Sequence, residues 1–460
     1  MTRRLCRPSL ALSIAILLGA STGAASAQTA SVDPFAAAAS PAPVAASPLP
    51  LPGAGARAQV AAFIEQLTAD PTNQEALLGL GAAAYQLARE TADPAEYARA
   101  NEAFATALAA DPTDVNALIG LGTIALARHD FATGLELGQR ARALAPRSAR
   151  VLGVIGDALL ELGRYDESLA AVQAMVDLRP DLGSYARVSY QRELHGDLDG
   201  AIDAMEQAVR AGGPAVENTE YLRVVLGNLW FLAGDLAHAR GAYTASLEQS
   251  PGYVFALAGM ARVAAAEGDL DAAIAHWQQA ADRVPFPEFL IGLGETQDAA
   301  GLAEAAQETY QLVRDIQALF AANGVRTDLE LALFEADHGD PAHAVELGRI
   351  AYADTPNMKA ADALGWALYH AGQLDEARSM AQEAVRRGSL EPSYAYHLGM
   401  IAKGQGDDPS ARLWLARSVA DNPAWSPLHA PRAAAALAEL GDGPVASPDP
   451  VQAPMPTEVP

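Results

Sequence analysis

Leu226-Gly227-Asn228-Leu229-Trp230-Phe231-Leu232-Ala233-Gly234-Asp235, followed by Ala239, Tyr243 and Pro251, lays out one complete unit of this chain. The apolar segment with its Leu-Gly pair reads as a first helix, and Gly234-Asp235 as a turn. A second helix opens near Ala239 and stops before Pro251, because proline lacks the amide that a continuing helix needs. The layout recurs. Pro112, Pro146 and Pro180 are spaced by 34 residues, and so are Pro251 and Pro285. Leu121-Gly122 precede Pro146, and Ile155-Gly156 with Gly163-Arg164 precede Pro180. Met260-Ala261, Gly268-Asp269 and Ala273 precede Pro285, while Leu293-Gly294, Leu364-Gly365 and Leu398-Gly399 continue the series.

These residues resemble the tetratricopeptide repeat family, whose pattern runs W-x2-L-G-x2-Y, then A-x3-F, then P over about 34 residues. Leu226-Gly227-x2-Trp230, Ala239-x3-Tyr243 and Pro251 follow it almost throughout. About ten such repeats begin near residues 74, 115, 149, 182, 220, 254, 287, 325, 358 and 392. The resemblance implies an all-α fold, a right-handed α-solenoid of stacked helix–turn–helix units over residues 56–440, with a concave groove lined by the first helices. Helices near 56–69 and 428–440 are expected to cap it, since an uncapped solenoid exposes its apolar stacking face. Three departures stand out. The first repeat carries about seven extra residues around Glu90 to Glu96, read as a longer turn. The fourth shows Val188-Ser189 in place of the Leu-Gly pair and ends in Gly212-Gly213-Pro214 with a short insertion. The seventh has no closing proline, and its second helix runs from Ala303 towards Phe320 before Asn323-Gly324. The repeat register is therefore open near 210–220 and 315–328.

Outside the repeats the composition changes. Residues 1–27 read as a cleaved secretory signal: Arg3, Arg4 and Arg7 precede an apolar core from Leu10 to Ala20 and the small-residue site Ala25-Ser26-Ala27. That core is too short to span a bilayer as a helix. Residues 28–55 and 441–460, rich in proline, read as an extended linker and a disordered tail. Export to the periplasm or the medium is the resulting expectation. Cys6 is the only cysteine and leaves with the signal, so the mature chain has no disulfide and no thiolate. With 31 basic and 56 acidic residues the net charge is −25, which disfavours nucleic acid as a partner. Only Lys359 and Lys403 are lysines, and the arginine and alanine skew suggests a GC-rich bacterial source.

Chemical motifs are weak. Gly79-Leu80-Gly81, Gly120-Leu121-Gly122 and Gly292-Leu293-Gly294 each lack the third glycine of a dinucleotide loop and lie within repeat helices. His195, His338 and His370 end first helices, where a cation suits the negative dipole end, so no metal is expected from them or from His343. No G-x-S-x-G elbow occurs in the mature chain, and Asp197-Leu198-Asp199-Gly200 lacks the rest of a calcium loop. No cofactor and no catalysis are expected. Specificity should sit in the groove. The residue after each Leu-Gly pair, or one turn away, points there: Asp157, Tyr190, Tyr221, Asn228, Phe255, Arg262, Glu295, Trp366, Tyr369 and Tyr396. Aromatic anchors among a few polar groups suit a protein or peptide partner. A self-associating assembly protein and an accessory subunit of an envelope export machine are the alternatives.

Overall fold

A computed structural model describes residues 54–446 except 92, 214–215 and 323–325; the segment read as a signal, most of the proline-rich stretches read as linker and tail, and the Asn323-Gly324 stop lie outside the described residues. The described chain is helical throughout. After α1 (Ala54–Ala69) come ten helix pairs. They are α2 (Gln74–Thr91) with α3 (Pro94–Ala110), α4 (Val115–Ala127) with α5 (Phe131–Leu144), and α6 (Ala149–Glu161) with α7 (Tyr165–Leu178). Next are α8 (Leu182–Leu194) with α9 (Leu198–Ala211), α10 (Val216–Leu232) with α11 (Leu236–Gln249), and α12 (Val254–Ala266) with α13 (Leu270–Arg283). Then follow α14 (Pro287–Ala299) with α15 (Ala303–Ala322), and α16 (Asp328–His338) with α17 (Pro341–Asp354). The last pairs are α18 (Met358–His370) with α19 (Leu374–Ala384) and α20 (Pro392–Gly404) with α21 (Asp408–Ser418), before a final helix α22 (His429–Leu440). Each helix packs on its neighbours in sequence, and first helices also pack on first helices, as α4 does on α6 and α16 on α18. First helices thus make the inner layer and second helices the outer.

The punctuation is local chemistry. Every proline of the ladder stands two residues past the last residue of a second helix, and the residue between is forced into extended backbone, φ −130° to −157°. Inside most repeats the turn residue is left-handed, a conformation glycine adopts freely; Gly234 has φ +74°. The following Asp235 or Asp269 accepts a hydrogen bond from the amide three residues on, capping the second helix. In the second repeat His129 fills the glycine position at φ +61°. His129→Gly should therefore raise unfolding stability by about 0.5–1 kcal/mol, net of the extra glycine entropy and the lost stacking on Phe131. Urea denaturation would read the gain.

The Gly-x-Gly pairs receive side chains from both sides. A Cβ on Gly81 would lie 2.7 Å from the Phe104 ring of its own repeat, and one on Gly120 2.6 Å from the same ring. Tyr243 is seated likewise against Gly227 and Gly259, and Trp277 against Gly292. One large ring from each of these second helices is held against glycines of the first helices beside it, at the close-packed density of a protein interior.

Two departures from the repeat turn out to be helix extensions. The extra residues of the first repeat lengthen α2 to 18 residues, and the turn before α3 stays short, so the longer-turn expectation is corrected. The insertion before the fifth repeat starts α10 at Val216. The two added turns meet: Arg89 Nη2 lies 3.1 Å from Glu217 Oε2, and Arg89 Nη1 donates to Asn218 Oδ1 at 3.0 Å.

Distant repeats touch as well. The superhelix turns tightly enough for its second turn to seat on its first. Asn357 Nδ2 donates to the Glu161 carbonyl at 2.9 Å, and the Met358 amide to the Tyr165 hydroxyl at 2.8 Å. Arg387 pairs with Asp166 at 2.9 Å, and its guanidinium and that of Arg386 lie over the Tyr165 ring. Further along, Asn422 Nδ2 donates to the Phe231 carbonyl at 2.7 Å. The turns at Gly163, Gly196 and Gly234 abut the backbone of Pro356, Gly388 and Asp421. Under this contact α6 is buried continuously from Val151 to Glu161.

Candidate binding cavity

Where the turns do not close on each other, a cavity of about 380 Å³ remains between α10, α12 and α14. Tyr221, Val224 and Asn228 come from α10, Phe255 and Arg262 from α12, and Glu288, Phe289 and Glu295 from α14. Trp277 reaches it from the outer layer beside Gly292, where the missing side chain leaves room. The segment after α21 crosses one side, adding Ala424, Trp425, Ser426 and Pro427. The rings interlock, Tyr221 to Phe255 at 5.8 Å, Phe255 to Phe289 at 5.6 Å and Trp277 to Phe289 at 6.2 Å between centroids.

The polar groups are mostly committed. Asn228 Oδ1 accepts from Tyr243 Oη and from Arg262 Nη2, both at 2.7 Å, and the Arg262 guanidinium lies 5.8 Å from the Phe231 ring centroid. Asn228 is thus a strut between α10, α11 and α12 rather than a free wall group. Glu295 is held from two helices: His338 Nε2 lies 3.5 Å and His429 Nε2 3.8 Å from its Oε1, and His429 Nε2 lies 3.7 Å from Asp337 Oδ2. Burial would raise the Glu295 carboxyl, but these imidazoles outweigh it and hold it down at about 2. Burial lowers His429 in turn, and its acidic neighbours Glu295 and Asp337 outweigh that and raise it above its usual 6.5.

The signs fix a pH window for docking of α22. The depressed Glu295 contributes above its unfolded value of 4.5 and is lost as pH falls towards 2; the raised His429 contributes below 6.5 and is lost as pH rises through its folded value. Amide protection of residues 429–440 should therefore be greatest between those unfolded values and fall towards pH 8. Hydrogen exchange at several pH values checks this, and His429→Gln should flatten the profile.

Of the ten groove residues expected from the sequence, the structure gathers Tyr221, Asn228, Phe255, Arg262 and Glu295 around this one opening. It separates the rest. Asp157 lies buried against Arg187, Nε to Oδ1 at 2.8 Å and Nη2 to Oδ2 at 2.7 Å, and is already neutralised. Tyr190 lies beneath the second turn with Lys359 Nζ 5.3 Å from its ring centroid. Trp366 and Tyr396 are 2% and 3% exposed, inside a cluster with Tyr369, His397, Trp425 and His429, where Trp366 stacks on His397 at 4.1 Å. The expectation that Asp157, Tyr190, Trp366 and Tyr396 face an open groove is corrected: Arg187 of the next first helix covers Asp157, and the neighbouring turn and the C-terminal segment cover the others. Glu288, Phe289, Trp277 and Trp425 were missed. Trp277 was signalled by its place four residues after Ala273, in the slot for the large ring. Trp425 had no signal, because only superhelical closure brings it there.

Among the described residues no group of His, Cys, Asp and Glu is arranged to hold a metal, and no helix is long and apolar enough to cross a membrane. Stacked helix pairs around a partly closed inner face define a helical-repeat scaffold of the kind that serves protein–protein interaction. Tetratricopeptide repeat sequence matches at residues 87–149, 125–183, 192–254, 259–319 and 363–424, more than half of the chain. The chain belongs to the tetratricopeptide repeat family. No curated protein matches it. Among solved structures it is similar to a thermophilic TPR protein of Thermus thermophilus, with 23% identity over 45% of this chain and 98% of that one and a TM-score of 0.35. It is also similar to the Cut9–Hcn1 heterotetramer of the APC/C (13% identity, 84% and 93% covered, TM-score 0.36). A third likeness is to the human IFIT1 dimer with PPP-AAAA (14% identity, 78% and 89% covered, TM-score 0.44).

Proposed function

We propose that this chain is an exported, non-catalytic scaffold that binds a protein or peptide partner at the open part of its inner face, the cavity between α10, α12 and α14. The supporting observation is the convergence there of aromatic side chains from three successive repeats, Tyr221, Phe255 and Phe289, beside Trp425 of the C-terminal segment. Buried aromatic anchors of this kind carry most of the energy at hot spots. The signal-like N-terminal sequence supports export to the periplasm or medium, and a partner there is the expected occupant.

Capture of envelope and secreted proteins by the mature chain, repeated with cavity variants, tests the reading. Phe255→Ala and Tyr221→Ala should lose the captured partner, with affinity down by about 2 kcal/mol or more for a true anchor. Glu248→Ala, on the exposed face of α11, should capture as the parent does. Circular dichroism on each variant separates lost binding from lost folding. Folded cavity variants that still capture the same partners at the same level would overturn the assignment.

A further inference from the structure

The cavity's chemistry selects among peptide side chains. We propose that it takes the side chain of an arginine or lysine from the partner peptide, walled by aromatic rings and faced by the carboxylate of Glu288. This rests on the inner-face reading above and adds the class of residue recognised.

Three observations converge. The first is the wall. Tyr221, Phe255, Phe289, Trp277 and Trp425 present rings around a space of about 380 Å³, at the small end of ligand pockets and enough for one long side chain with its flanking backbone. Ring faces carry negative quadrupole density and attract a cation, more so once it is desolvated. The second is the accounting of charge. Of the charged side chains lining the space, Arg262 gives Nη2 to Asn228 and stands over the Phe231 ring while its Nε has no hydrogen-bond partner, and Glu295 is held by His338 and His429. Glu288 is exposed and makes no hydrogen bond or ion pair among the described residues, so apart from the field of Arg262 its carboxylate is open to a ligand. The third is the wider field. A chain of net charge −25 draws basic segments and repels acidic ones.

The titration of Glu288 adds a signature. The rings beside it raise the Glu288 carboxyl above its ordinary value by partial desolvation, with Arg262 of α12 pulling it down and Glu330 of α16 pushing it up. Tyr221 faces it from α10 as a neutral phenol, Trp277 of α13 brings no charge, and the crossing segment 424–427 contains no ionisable side chain. A bound cation favours the ionised carboxylate. Affinity should therefore rise from pH 6 to pH 8 as Glu288 gives up its proton. His429 titrates nearby against Glu295, so the Glu288→Gln variant is the control that isolates this contribution.

The test is an immobilised array of nonapeptides with varied flanks and a fixed central arginine, lysine, norleucine or glutamate, probed with the labelled mature chain. Arginine- and lysine-centred peptides should bind at least tenfold better than their norleucine counterparts, and glutamate-centred ones should not bind. Glu288→Gln should erase the preference and the pH dependence while melting like the parent. Equal binding of norleucine peptides, preferred binding of glutamate peptides, or no binding to any would overturn the inference. Partner capture that depends on Phe255 but coincides with a charge-blind array would leave the inner-face reading standing and this inference refuted.

Discussion

Arg187→Ala should destabilise the protein by about 3–5 kcal/mol, the cost of stripping the partner from a buried charge. Arg187 clasps both oxygens of Asp157 from its Nε and Nη2 and donates from Nη1 to the Gly183 carbonyl at 2.9 Å. Its side chain is 6% exposed and that of Asp157 10%. Burial already pushes the Asp157 carboxyl up to about 6, with Arg187 pulling it down. Without the guanidinium the carboxyl has no counter-charge and must protonate or admit water, and either route costs stability. Replacing both residues by leucine should recover much of the loss, because two well-packed apolar side chains avoid the desolvation of two charges. Urea denaturation of the two single variants and the double variant measures this. A loss below about 1 kcal/mol for Arg187→Ala would mean that water reaches the pair.

The second large effect concerns the seating of one superhelical turn on the other. Gly196 and Gly234 have φ +77° and +74°, and a Cβ on either would overlap a backbone carbonyl of the opposite turn, that of Gly388 or Asp421. Gly268 has φ +84° with nothing within 4 Å of a built Cβ. Alanine at Gly268 pays only the left-handed backbone, about 1–2 kcal/mol. At Gly196 or Gly234 it adds overpacking against backbone that cannot rotate away, about 1–3 kcal/mol more. Gly234→Ala should also release amide protection at residues 421–425, far along the chain, and Gly268→Ala should not. Equal losses at the three sites would show that the turns do not bear on one another.

The repeat was legible because its determinants are local. A proline two residues past a helix, a glycine and an aspartate at a turn, and a ring four residues after an alanine act within one unit, so first helices such as α2, α4, α6, α8, α12, α14, α18 and α20 start where the pattern puts them. Irregular units shifted the starts to Val216 and Asp328, since an insertion can become either helix or loop. The cavity was legible by halves. Tyr221, Phe255 and Arg262 follow from helix phase, because neighbouring first helices share an inner face. Trp366, Tyr396 and Tyr190 share that phase, yet they are covered by other parts of the superhelix, while Asp157 is capped by Arg187 of the next first helix. Curvature per repeat decides which inner-face residues stay open, and it accumulates from small rotations that no single unit encodes.

An open helical array can gain or lose a unit by gene duplication or deletion with little penalty, since each unit meets only its neighbours. This chain has given up that freedom. Between Tyr165 and Met358, and again between Phe231 and Asn422, the number of intervening units sets which turn lies above which. One unit more or fewer would swing Asn357 and Asn422 away from the carbonyls they cap, and would carry Trp425 off the cavity it helps to wall. Descendants of this gene should therefore diverge by substitution and by changes at their ends while keeping the count between those contacts fixed.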